Sequence, residues 1–162
     1  MEAANQVLAH SRQTEVLFAK PVVRRGEPVK VTEVAGYPEM IRAIDGSVVE
    51  LRRLYRSIAV IAKTLAEAQN IYHELKAKDY RPVLIQETED EYHGGTVILP
   101  SYLAKGLEFD AVLIADGSEA NYRQDNELDI KLLYVAMTRP LHRLIIYYYG
   151  ELSRLLKNIG KA

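Results

Sequence analysis

The feature that most constrains this chain is a series of short apolar runs set between amphipathic segments. After about residue 55 the runs are SIAVIA (Ser57–Ala62), VLI (Val83–Ile85), TVILP from Thr96, DAVLIAD from Asp110 and RLIIYYY from Arg143. Runs this short that do not alternate with polar residues read as strands buried on both faces. Helical segments separate them. Thr64 and Glu67 have the spacing of a capping box, in which hydroxyl and carboxylate satisfy free N–H groups, and that helix runs through Leu75 to near Lys78. Leu128–Thr138 reads as a helix stopped by Pro140, and Glu151–Asn158 as a closing helix. The polar stretch GSEANYRQDNE reads as a long surface loop, and Glu87–Gly95 as an acidic one. Strand and helix in alternation predict an α/β fold with a mainly parallel sheet covered by helices on both faces.

Residues 1–55 lead into that unit, which spans residues 56–162. They read as a short helix over Glu2–Ala9, a loop over Lys20–Pro28 and a strand within Pro28–Ala35. A helix then opens at Pro38 and runs to Arg53, with Gly46 weakening its middle. Parallel sheets of this kind bind ligands beyond the carboxyl ends of their strands. Lys63, Ser101 and Asp116 each follow a predicted strand and fall on that edge.

Composition removes several alternatives. Hydrophobic residues make up 48% of the 162, enough for a core, and the net charge of −1 gives no global field for nucleic acid, so any such contact is local. There is no Cys, which excludes disulfides and thiolate metal sites, and the four His lack ligand-like spacing. No metal site is predicted. The apolar runs fall short of the ~20 residues that span a bilayer. The start MEAANQVLAHSRQTEV carries charge inside an amphipathic segment, unlike a secretory signal, so a cytoplasmic protein with no membrane partner is expected. Neither G-x-x-x-x-G-K-[ST] nor G-x-G-x-x-G occurs, so the chain cannot cradle a triphosphate alone in the usual way.

Two stretches carry the chemistry. LPSYLAKGLEFDAVLIAD (Leu99–Asp116) sets Lys105, Gly106 and Glu108 between two strands, yet Leu107 and Phe109 call for burial, so the segment must be held on both sides. LLYVAMTRPLHRLIIYY (Leu132–Tyr148) delivers Arg139 at the last turn of a helix, directly before a strand. A planar, always-charged guanidinium held there matches a phosphate. It equally suits a cap on the free carbonyls of its own helix.

VAMTRPLHRLII resembles the last motif of superfamily 1 helicases of the UvrD/Rep type, and LAKGLEFDAVLI resembles the motif before it. SIAVIAKTLAEAQNIYHEL is similar, less specifically, to an earlier strand–helix unit of the same domain, so the resemblance covers about residues 57–150. It implies the second of two RecA-like domains that clamp ATP. The first would carry the phosphate loop and the carboxylates for Mg2+. It further implies that Arg139 reaches the γ-phosphate across the cleft, that Glu108 meets the ribose hydroxyls, and that Gly106 lets the backbone pass close to the nucleotide. Lys105 would steady the loop or meet phosphate. Leu107, Phe109 and Tyr134 would be packing residues. The partners implied are the other RecA-like domain and single-stranded DNA. The function implied is that of an ATP-dependent DNA helicase whose isolated second domain is inactive.

The chain departs from that family where Thr-x-His usually precedes Ala-Lys-Gly; here Pro100, Ser101 and Tyr102 stand. Tyr102 could stack on a base or be a strand-end tyrosine, while Ser101 could donate to a phosphate and Lys63 lies on the same edge. The P-S-Y-L-A-K-G-L-E-F-D run is similar to the HelD (helicase IV-like) branch, whose motor acts on RNA polymerase. The insertion that UvrD/Rep relatives carry is absent or very small, since only about thirty residues separate the Val83 strand from Asp116. A HelD-type factor and a non-enzymatic adaptor with a degenerate motor fold are the alternatives.

Overall fold

A computed structural model of the protein describes residues 2–8 and 28–159. Its elements in chain order are α1 (Glu2–Leu8), β1 (Lys30–Glu33), α2 (Tyr37–Leu51), β2 (Ser57–Ala62), α3 (Leu65–Leu75), β3 (Val83–Leu84), β4 (Gly95–Pro100), β5 (Phe109–Ile114), α4 (Glu127–Met137) and β6 (Pro140–Tyr148). Single 3-10 turns follow at Ser101–Leu103 and Arg154–Leu156. The six strands form one sheet in the order β1-β6-β5-β2-β4-β3, and every pair is parallel.

Alternate residues of the central strands feed two cores. Ala59, Ile61, Leu99, Val112, Ile114 and Ile146 pack with Leu133 and Ala136 of α4 and with Ala4 and Val7 of α1. Ile58, Val60, Ile98, Leu113 and Ile145 pack with Ile44 and Val48 of α2 and with Ile71 and Leu75 of α3. Both faces are therefore covered, which is why the strands read as unbroken apolar runs. The capping box forms as its spacing requires: Thr64 Oγ1 accepts the Glu67 N–H, and Glu67 Oε2 accepts the Thr64 N–H, both at 3.2 Å. β1 and α2 share the sheet and the core with the rest of the chain.

Several expectations change. β6 begins at Pro140, before Arg143, because Pro140 pairs with Phe109 across an irregularity in β5. A proline fits there, at the first residue of a strand. The closing helix over Glu151–Asn158 is replaced by the turn at Arg154–Leu156. Leu152 is drawn into an antiparallel bridge with Ser118, and the Ser153 N–H bonds Gly117 O, which leaves room for one turn only. The stretch after Asp116 is not simply a surface loop, since Ser118, Asn121 and Tyr122 are buried. The loop read over Lys20–Pro28 lies outside the described residues up to residue 27. Among the described residues no helix is long and apolar enough to cross a membrane.

The link from β4 to β5 places the site. It leaves the carboxyl end of β4 at Ser101 and enters the amino end of β5 at Phe109, passing over β2. Crossovers of this kind usually need a dozen or more residues. Here residues 101–108 suffice, because they cross the sheet beside α4 as two tight turns, the 3-10 turn at Ser101–Leu103 and a second one through Gly106 closed by the Leu107 N–H on Ala104 O at 3.0 Å. Ala104 and Phe109 are buried, and Leu103 and Leu107 pack on the same core. This burial is what holds the Lys-Gly-Leu-Glu run on both sides.

Candidate functional site

The candidate residues separate onto opposite edges of the sheet. Glu108 directly precedes β5, and Arg139 directly precedes β6. Phe109 and Pro140 are paired, and the Phe109 N–H bonds Arg139 O at 3.1 Å, so Glu108 and Arg139 lie side by side at the amino edge. Lys63, Ser101, Tyr102 and Asp116 follow β2, β4 and β5 at the carboxyl edge. The nucleotide candidates thus share one edge, but it is not the edge where sheets of this kind ordinarily bind ligands.

Three hydrogen bonds orient the Arg139 guanidinium. Nε donates to Val135 O at 3.2 Å, Nη1 to Leu107 O at 3.3 Å and Nη2 to Thr138 Oγ1 at 2.9 Å. Thr138 Oγ1 itself donates to Val135 O at 2.9 Å. The arginine therefore does cap its helix, as one of the two readings of the sequence required. Its Leu107 contact also ties it to the crossover that carries Glu108. Burial pulls the guanidinium below the ordinary arginine value, and the Glu108 charge opposes that pull. It remains a cation, half-buried, at a surface.

Gly106 has φ +82, in the left-handed region. A Cβ built there meets nothing within 4 Å, so glycine is required by the backbone conformation and not by crowding within this domain. Lys105 and Glu108 are exposed beside it.

The carboxyl edge turns inward. Ser101 is fully buried, and its Oγ donates to Leu132 O of α4. That corrects its expected role: a hydroxyl enclosed against a helix carbonyl cannot donate to a nucleic-acid phosphate. Lys63 Nζ sits 2.7 Å from Asp129 Oδ1, and its ammonium lies 5.9 Å from the centre of the Tyr122 ring. Asp129 is almost fully buried, and its other oxygen accepts the Arg123 N–H at 3.0 Å. Lys63 is thus engaged as a structural counter-ion. Tyr102 alone among the expected strand contacts stands clear, about half exposed.

Little in the residue pattern marks Asp129, Tyr122 or Thr138. Asp129 is an acid in the first turn of α4 behind the Asn126 cap, an ordinary place for one. Tyr122 was a single aromatic in a polar stretch, and that was the available signal.

Comparison with known proteins bears on residues 96–147, which match the family model of the UvrD-like helicase C-terminal domain. The matched stretch runs from β4 to β6 and so contains the crossover, α4 and Arg139. No curated protein matches the sequence. Among solved structures, the chain is similar to the C-terminal domain of a possible DNA helicase from Lactobacillus plantarum WCFS1. The two share 29% identity with a TM-score of 0.77, over 97% of this chain and 88% of that one. The α/β sheet described above is the architecture of a RecA-like helicase C-terminal domain.

Proposed function

We propose that this chain is the C-terminal motor domain of an ATP-dependent superfamily 1 DNA helicase or translocase. The observation that carries this reading is the pairing of Arg139 and Glu108 on one edge, joined through Leu107 O. A positioned guanidinium beside a carboxylate suits a nucleotide held by another domain. The cation meets the γ-phosphate, where it stabilises charge that grows during phosphoryl transfer. The carboxylate meets ribose hydroxyls. This donor set fits phosphate oxygens and hydroxyls but offers no cluster of carboxylates for magnesium, so Mg2+ and the phosphate loop would belong to the partner RecA-like domain. ATP supplies the driving reaction, and this domain supplies orientation and charge.

Closure of the two domains on ATP, and opening after hydrolysis, would shift this domain along single-stranded DNA. Lys63 and Ser101 are engaged inside the domain, which leaves Tyr102 as the carboxyl-edge contact. The Pro100-Ser101-Tyr102 run, standing where Thr-x-His is usual, favours translocation or remodelling, including a HelD-type action on RNA polymerase, over processive unwinding. The reading implies a cytoplasmic protein. It is tested by assaying ATP turnover of residues 1–162 alone and after joining to the phosphate-loop domain. The isolated chain is expected to be silent with or without single-stranded DNA. Turnover by the isolated chain that disappears with Arg139→Ala would overturn the half-site reading.

A further inference from the structure

The amino edge carries a second surface, on the side of the sheet covered by α2 and α3, which the nucleotide reading does not use. After α2 the chain turns through Arg52, Arg53, Leu54, Tyr55 and Arg56 before β2 begins. The arginines are exposed, and Leu54, at 72%, is the most exposed large hydrophobic among the described residues. The chain as a whole holds 21 basic and 22 acidic residues, yet this turn holds three arginines against Glu50 at the end of α2.

An aromatic platform lies in the same place. The Tyr55 and His142 rings stack with centroids 5.8 Å apart and planes 9° from parallel. The backbone that carries each ring is fixed. The Tyr55 N–H bonds Leu51 O at 2.9 Å, and His142 is carried on β6. Asp110 fastens the turn, its Oδ2 accepting the Arg56 and Ser57 N–H groups at 3.1 and 3.2 Å. Its Oδ1 lies 4.0 Å from His142 Nε2. Tyr55 stacks on one side of the His142 ring, and the His142 side chain is 54% exposed, so the ring is accessible to a ligand. The Arg52 guanidinium is turned away, over the Tyr80 ring at 5.8 Å.

We propose that this rim is a second contact for single-stranded nucleic acid, on the edge opposite Tyr102. A base stacks on the His142 ring, and Arg53 and Arg56 meet the flanking phosphates. Stacking on an aromatic ring tolerates any base, and paired arginines give the salt-dependent part of the grip. Glu50, Glu108 and Asp110 are the acids near this rim. Asp110 is occupied by backbone N–H groups, so it does not cancel the arginines one for one.

The test is fluorescence anisotropy of labelled oligothymidylate with residues 1–162, over a salt series. His142→Ala should weaken binding about 5- to 20-fold with an unchanged salt slope, because a stacking contact is lost. The pair Arg53→Gln and Arg56→Gln should weaken it at least about tenfold and lower the log–log salt slope by about 1.4, at roughly 0.7 per phosphate contact. Circular dichroism melts confirm that these surface variants are folded. Wild-type binding in both rim variants, with loss only in Tyr102→Ala, would overturn the proposal and leave the carboxyl-edge contact standing. Failure of the unaltered chain to bind the oligonucleotide would also overturn it, pointing to a protein as the rim's occupant. Neither outcome touches the Arg139 reading, which is measured by ATP turnover.

Discussion

The two edges of this sheet use the same kinds of residue in opposite ways. At the carboxyl edge a lysine and an aspartate close on each other at 2.7 Å, one of them almost fully buried, and a serine hydroxyl is enclosed against a helix carbonyl. At the amino edge an arginine is steadied by three neutral acceptors and keeps its charge at the surface beside an exposed carboxylate. Charge that is matched internally holds the fold. Charge that is oriented but not neutralised by its immediate acceptors is available to a ligand. The contrast teaches that residue type and position after a strand do not by themselves make a site; the partner of each polar group decides.

The contrast can be broken most forcefully at Asp129. Asp129→Ala removes the partner of a poorly exposed ammonium and the acceptor of the Arg123 N–H. Losing one member of such a pair should destabilise the domain by about 3 kcal/mol. Urea unfolding checks this, and a loss below about 0.5 kcal/mol, typical of an exposed pair, would mean that the carboxyl edge is not internally tied.

Two smaller effects sharpen the contrast. Gly106→Ala forces a side chain into φ +82 with open space around it, so the cost is backbone strain alone, about 1–2 kcal/mol. A melt would show it as a modest, clean loss. A much larger loss would mean that contacts beyond the backbone depend on this glycine. Ser101→Ala removes a donor to a carbonyl within α4 and should cost about 1 kcal/mol. It should leave oligonucleotide binding unchanged in the anisotropy assay; weakened binding would restore Ser101 as a nucleic-acid contact.

The smallest effect is a slope. Burial raises Glu67 above the ordinary carboxylate value of 4.5, against the Thr64 N–H bond that lowers it, and the Asp116 charge adds to the rise. Between 4.5 and that raised value the folded state holds the proton more firmly than the unfolded chain. Stability therefore falls as pH rises through this window. Glu67→Gln keeps an acceptor for the Thr64 N–H and removes the titration, so that part of the slope should vanish. Denaturant midpoints measured across the window for both proteins decide it, and identical slopes would mean that Glu67 titrates as an ordinary surface acid.

Parts of this architecture were legible because one physical cause dominates them. β2 lies where SIAVIA stands, since a run apolar on both faces has few alternatives, and the Thr64–Glu67 cap marks the start of α3 locally. The adjacency of Glu108 and Arg139 followed from recognising two motifs; periodicity alone could not place residues so far apart in sequence on one edge. What stayed hidden were partners. A serine after a strand looks the same whether its hydroxyl meets solvent or Leu132 O. A lysine there gives no sign of an aspartate many residues later. The last segment reads as helical in isolation, but Leu152 is claimed by its bridge to Ser118, a contact no local pattern encodes. For the same reason Tyr122, fully buried with its hydroxyl raised well above the ordinary tyrosine value chiefly by burial, passed for part of a surface loop.

Whether Arg139 acts on a nucleotide, beyond capping α4, can be measured directly. The measurement is ATP turnover, with kcat and KM separated, together with melting temperature, for Arg139→Ala and Arg139→Lys in the chain joined to a RecA-like domain that carries a phosphate loop. In Arg139→Ala kcat should fall about 10³- to 10⁵-fold with little change in KM, because the guanidinium serves the transition state more than the bound substrate. Arg139→Lys should fail to restore the rate, since a single ammonium cannot both meet the acceptors at Val135, Leu107 and Thr138 and present charge across a cleft. Near-normal kcat in both variants, with a lowered melting temperature, would contradict a nucleotide role and leave Arg139 as the cap of α4.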